Sequence, residues 1–84
     1  MEVILTDQFK KVYSKIKNDA IKEKIWKQVR KLEFMPEAGK PLSGKLKGRR
    51  SVRIAPFRII YHLEEDKIII EDFDHRKIVY EKES

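Results

Sequence analysis

Three side chains near the end of this chain are of types that handle nucleic acid. His75, Arg76 and Tyr80, in the segment HRKIVY, can move a proton, hold a phosphate and stack on a base. A basic segment lies upstream of them. In GKLKGRR, residues 44–50, Lys45, Lys47, Arg49 and Arg50 surround two glycines, a composition suited to following a phosphate backbone. This segment leads into the alternating stretch that carries Arg53 and Arg58. Closing a hairpin at Ala55 and Pro56 pairs Ile54 with Phe57 and Val52 with Ile59 on the core-facing side, and sets Arg53 directly against Arg58 on the other. Like charges opposed across two strands disfavour folding by up to about 1 kcal/mol. A bound phosphate between the two arginines would offset that cost; a solvated basic strand face is the plainer alternative.

Other chemistries have fewer residues to work with. His62 and His75 are the only histidines and cysteine is absent, so a zinc site is short of ligands, and no metal is expected. In EDFDH, strand alternation separates Glu71 from Asp72 and Asp74, which weakens any site for a harder cation. There is no P-loop, dinucleotide fingerprint or nucleophile elbow, and no cofactor is expected. What remains is metal-free chemistry on a phosphodiester. RNA suits it, because its own 2′-hydroxyl can be the nucleophile; the protein must then supply a group to take that proton, cations for the phosphorane and an acid for the leaving oxygen.

The elements that position these groups follow from period and punctuation. Val3, Ile4 and Leu5 form a short apolar run, and Thr6 or Asp7 caps a helix with Phe9, Val12, Tyr13 and Ile16 on one face. Asn18 and Asp19 start a second helix with Ile21, Ile25, Val29 and Leu32 in a stripe flanked by Trp26. Pro36, Gly39, Pro41 and Gly44 mark a loop. From Ser51 the period is two, and Glu65 and Asp66 turn one strand into the next, pairing Glu64 with Lys67, Leu63 with Ile68, Tyr61 with Ile70 and Arg58 with Phe73. Regular alternation beyond Phe73 would send Arg76 to the core, so a bulge is expected near Asp74. The expected fold is α+β: an N-terminal strand, a two-helix antiparallel hairpin, then a three- to four-stranded antiparallel β-meander packed on the helices.

The chain has 84 residues, enough for one domain spanning 1–84 that buries about 60 to 65% of the surface its unfolded form exposes. Twenty Lys and Arg against fourteen Asp and Glu leave a net charge of +6, which favours polyanionic partners such as RNA, DNA or the ribosome. Without cysteine, without an apolar run near the roughly 20 residues that span a bilayer, and with MEVIL as its first residues, a cytoplasmic location and no membrane association are expected.

The stretches LKGRRSVRIAPFRIIY, residues 46–61, and HRKIVY resemble the RelE-type toxins of bacterial and archaeal toxin–antitoxin pairs. Leu46 with Gly48, then Arg53, Phe57 with Arg58, and finally His75, Arg76 and Tyr80 stand in the places of that family's pattern. The resemblance implies a RelE-like fold and metal-free, ribosome-dependent cleavage of mRNA in the ribosomal A site. It implies that Arg53 and Arg58 stabilise the phosphorane, that Arg76 assists the leaving oxygen or the phosphate, that Tyr80 orients or stacks on the nucleotide, and that His75 is a proton donor. It also implies a cognate antitoxin protein beside the ribosome and mRNA as partners. Ser51 stands where many relatives carry a basic residue, and Ala55-Pro56 replaces their Gly-Asp turn. The general base is thus unassigned: arginine stays protonated, which leaves Lys45, Lys47 or charge stabilisation alone. A related ParE-type inhibitor of DNA gyrase, or an RNA-binding module without catalysis, are the competing functions.

Overall fold

Each helix begins where a short polar side chain can take up a backbone N–H that helix geometry leaves free. The computed structural model describes residues 2–54 and 57–75, with Asp74 and His75 described by their backbone alone. Strand β1 is Glu2–Leu5. Helix α1, Asp7–Ser14, is capped by Thr6, whose Oγ1 accepts from the Phe9 N–H at 3.2 Å. The same hydroxyl contacts the carbonyl oxygens of Ile70 and Glu71 at 2.9 and 2.8 Å, tying the start of the helix to the sheet. Helix α2, Asp19–Phe34, is capped by Asn18, whose Oδ1 accepts from the Ile21 N–H. The expected stripe of the first helix overran its end: Ile16 lies beyond α1, yet still packs half-buried against the core.

The remaining strands are β2, Lys40–Pro41, β3, Arg50–Ile54, β4, Phe57–Glu64, and β5, Lys67–His75, with a short 3₁₀ turn at Gly44–Leu46. The chain is α+β, as expected, but the sheet is mixed and has five strands in the order β1-β5-β4-β3-β2. β1 runs parallel to β5, from Glu2 opposite Lys67 to Leu5 opposite Ile70. The chain between them, both helices and then β2, β3 and β4, makes the long connection that a parallel neighbour requires. β2 falls within the stretch expected to be loop; its two residues pair with Ser51 and Arg50 of β3. Phe9, Ile25, Val29 and Leu32 from the helices meet Ile54, Ile59, Tyr61, Ile68, Ile70 and Phe73 from the sheet. Burying each such side chain contributes on the order of 1.5 to 3 kcal/mol.

The turn at Glu65 and Asp66 holds as expected, with Glu65 at φ 57°, and pairs Glu64 with Lys67, Leu63 with Ile68 and Tyr61 with Ile70. The pairing of Arg58 with Phe73 does not form. A register shift between Ile60 and Tyr61 sets Ile60 opposite Asp72, Ile59 opposite Phe73 and Arg58 opposite Asp74, which leaves Glu71 as the extra residue of β5. The reason lies in the sequence phase. Ile68 and Ile70 both face the core, so unbroken alternation would bury Asp72 and expose Phe73; the bulge at Glu71 reverses this, and Phe73 is 1% exposed. The irregularity thus lies about three residues before Asp74, where it was expected.

Candidate functional site

Arg53 and Arg58 are direct partners across β3 and β4, as the hairpin register required. Arg53 is exposed and Arg58 half-buried. Both line one depression of about 450 Å³, together with Gln28 and Lys31 of α2, Ala38, Lys40 of β2, and Ser51 and Val52 of β3. Local geometry opens this hollow. β2 pairs only with Arg50 and Ser51, so the rest of β3 faces a gap between β2 and the end of α2. Ser51 is 5% exposed, and its short side chain keeps the floor of the hollow clear. Among the described residues lining it, four carry positive charge and none negative.

Lys31, Lys40 and Gln28 were missed by the sequence reading. Gln28 and Lys31 do sit one helical turn apart on α2, beside the apolar stripe. That spacing marks a shared face but not what the face lies against. Lys40 belongs to a strand too short to show a period of two.

A pair of anchors fixes the loop that brings Ala38 and Lys40 to the hollow. The Tyr61 hydroxyl, in the core, donates to the Pro36 carbonyl at 2.8 Å and accepts from the Gly39 N–H at 2.9 Å. Burial pushes the Tyr61 phenol above its ordinary pKa, against the lowering effects of the Gly39 hydrogen bond and the nearby Arg50 charge. From the other side Arg50 Nη1 donates to the carbonyls of Gly39 at 2.9 Å and Glu37 at 3.3 Å. Gly39 is required by packing: a Cβ there would lie 2.6 Å from Tyr61 Cε1.

The basic segment 44–50 therefore divides. Lys45 and Lys47 are exposed. Arg50 holds the loop, and Arg49 Nε donates to both carboxylate oxygens of Glu71, at 2.9 and 2.8 Å. The bulge is what places Glu71 there. Glu71 Oε2 also lies 2.7 Å from His62 Nδ1, and His62 Nε2 lies 3.3 Å from Glu64. This chain of contacts, from Arg49 just before β3 to β4 and β5, was not expected from the sequence, because it depends on which residue the bulge releases. Among the described residues, no three His, Asp or Glu side chains gather as a metal site would need. Among the described residues, no helix is long and apolar enough to cross a membrane.

Arg76 and Tyr80 lie outside the described residues, as do Ala55 and Pro56 of the β3–β4 turn. His75 is described as backbone only, opposite Phe57 in the ladder. The structure brings together Arg53 and Arg58 from the expected set, and adds Gln28, Lys31, Lys40 and Ser51 to them.

Comparison with known proteins gives a consistent picture. The family model of the ParE toxin of type II toxin–antitoxin system, parDE, matches residues 3–80. Among solved structures, the toxin–antitoxin complex RelBE2 from Mycobacterium tuberculosis is 25% identical, with 89% of this chain and 96% of that chain covered and a TM-score of 0.78. Two others share the fold. The YoeB/ParE toxin from Agrobacterium tumefaciens has 22% identity, coverage of 90% and 99%, and a TM-score of 0.81. The RelB-RelE antitoxin–toxin complex from Methanococcus jannaschii has 18% identity, coverage of 94% and 96%, and a TM-score of 0.75. Comparison with curated proteins finds no match.

Proposed function

The chain belongs to the ParE toxin family of type II toxin–antitoxin systems, and from that premise we propose that it is a ribosome-dependent mRNA endonuclease acting in the cytoplasm. The observation that carries this reading is the opposition of Arg53 and Arg58 across adjacent strands in one hollow, with Lys31 and Lys40 beside them. Two guanidinium groups directly opposed can grip an anion that lies between them. A phosphodiester supplies that anion. When the 2′-oxygen of RNA attacks the adjacent phosphorus, the bond to the 5′-oxygen breaks, leaving a cyclic phosphate on one fragment and a hydroxyl on the other. Charge builds on the phosphoryl oxygens during attack, and Arg53 and Arg58, fixed by strand pairing, stabilise it without having to reorganise. In this reading Arg76 and His75 serve the leaving oxygen and Tyr80 the nucleotide, while Lys45 and Lys47 track the strand. Arg49 and Arg50 act through the fold, by holding Glu71 and the loop 37–39.

A cognate antitoxin is the expected protein partner. The RelBE2 and RelB-RelE structures are toxin–antitoxin complexes, which supports this. The test is a cell-free translation reaction programmed with a defined message. The protein should arrest synthesis and cut the message at ribosome-bound codons, and Arg58→Ala should slow cutting by about 100- to 1,000-fold, the usual effect of removing one group that stabilises transition-state charge. Arrest with intact message would reject the enzyme reading. The competing reading within the same family is a non-enzymatic inhibitor of DNA gyrase. Loss of gyrase supercoiling with translation unaffected would select it.

A further inference from the structure

We propose that the hollow beside Arg53 and Arg58 takes a second, neighbouring phosphate of a single-stranded RNA, held by Lys31 of α2 and Lys40 of β2, with Gln28 meeting the adjoining nucleotide. The strand's identity rests on the endonuclease reading; the binding surface does not. The hollow is lined from both a helix and the sheet, and Lys31 and Lys40 enter it from elements other than those that carry the two arginines. One phosphodiester carries a single negative charge, and Lys31 and Lys40 line the hollow beside the two arginines. A nucleic acid strand offers successive phosphates at short intervals, and a cationic hollow continuous with Arg53 and Arg58 suits two of them.

The residue types fit the two positions differently. Opposed guanidinium forks suit the reacting phosphate, where fixed geometry matters. Lysine ammonium groups are point charges with rotatable donors, suited to a phosphate that is gripped but does not react. Ser51 adds a buried polar side chain to the same lining. Gln28 carries a donor and an acceptor on one amide, the pattern that meets a base edge or a ribose hydroxyl. Lys27 pairs with Glu23, Arg49 with Glu71, and Arg50 with two carbonyls, and none of these three lines the hollow. A strand laid here would run from the β3–β4 arginines toward the C-terminal end of α2.

Lys31 also stands in the last turn of α2, where a cation stabilises the helix dipole. The test therefore separates binding from stability. Affinity for a short oligoribonucleotide is measured across a salt series for wild type, for Lys31→Gln with Lys40→Gln, and for Lys10→Gln with Lys11→Gln, which removes equal charge from the exposed side of α1. The Lys31/Lys40 variant should flatten the slope of log affinity against log salt by about 0.7 for each lysine removed. The Lys10/Lys11 variant should keep the wild-type slope, and Lys31→Arg with Lys40→Arg should restore it. On programmed ribosomes the glutamine pair should raise KM with kcat retained. Equal slopes for the two glutamine variants, or a lowered melting temperature with an unchanged slope, would overturn the inference. If wild-type protein binds RNA with the Lys31/Lys40-dependent slope but cuts nothing, the binding site stands and the endonuclease reading falls.

Discussion

At the scale of single residues, the site depends on groups whose partners lie far away in sequence. Arg53 and Arg58 are five positions apart and meet through strand pairing, but the hollow they share is bounded by a loop that the Tyr61 phenol and the Arg50 guanidinium help hold in place. Gly39 is the contact point between loop and core. Its substitution by alanine would place a methyl group 2.8 Å from Tyr61 Cζ and displace a ring that is 0% exposed and has no room to yield. Gly39→Ala is expected to lower stability by about 1 to 3 kcal/mol, the usual range for overpacking, and chemical denaturation would measure it. Because the same loop carries Lys40, RNA affinity should fall in the same variant; full affinity at reduced stability would show that the loop does not shape the hollow.

Much of the element scale was legible in the sequence. Thr6 and Asn18 stand before apolar stripes of helical period, and both cap helices. The pairs Ile54 with Phe57, Val52 with Ile59, and Leu63 with Ile68 follow from alternation and turn placement alone. The bulge lies earlier than the burial of Arg76 would require, because the pressure that creates it acts at Ile70 and Phe73, whose odd spacing cannot satisfy one buried face. Thr6 shows how an element boundary can do two tasks. Its hydroxyl caps α1 and also reaches the carbonyl oxygens of Ile70 and Glu71 beside that bulge. Thr6→Ala should therefore cost more than an ordinary cap, about 2 kcal/mol rather than about 1. Thr6→Ser, which retains the hydroxyl, should recover most of it. Equal denaturation midpoints for the alanine and serine variants would show that the hydroxyl contributes nothing, and a loss of only about 1 kcal/mol that the link to β5 adds nothing to the cap.

For the whole molecule, the buried phenol of Tyr61 links stability to alkaline pH. Burial raises its pKa above 10.0, so in the folded state it holds its proton where the unfolded chain has begun to lose it. Between those two values the unfolded state binds fewer protons, and stability falls as pH rises. This contribution is fully present below about pH 10 and is lost as pH climbs through the folded-state value. Unfolding curves collected from pH 8 to 11 should show the decline in wild type and a shallower one in Tyr61→Phe. The same variant should be less stable than wild type at neutral pH by about 1 to 3 kcal/mol, because the Gly39 N–H and the Pro36 carbonyl lose their partner.

The sequence by itself determined the order of the helices and the longer strands, the opposition of Arg53 and Arg58, and the excess of positive charge. These are local or nearest-strand properties, set by period, punctuation and composition. Tertiary structure alone decided that β1 lies parallel to β5, that Glu71 leaves the ladder to hold Arg49 and His62, and that Lys31 and Lys40 come to the same hollow as the two arginines. Each of those outcomes requires a helix face, a sheet edge and a loop to pack in one arrangement. Residues that meet only through such packing carry no mark of it in their spacing.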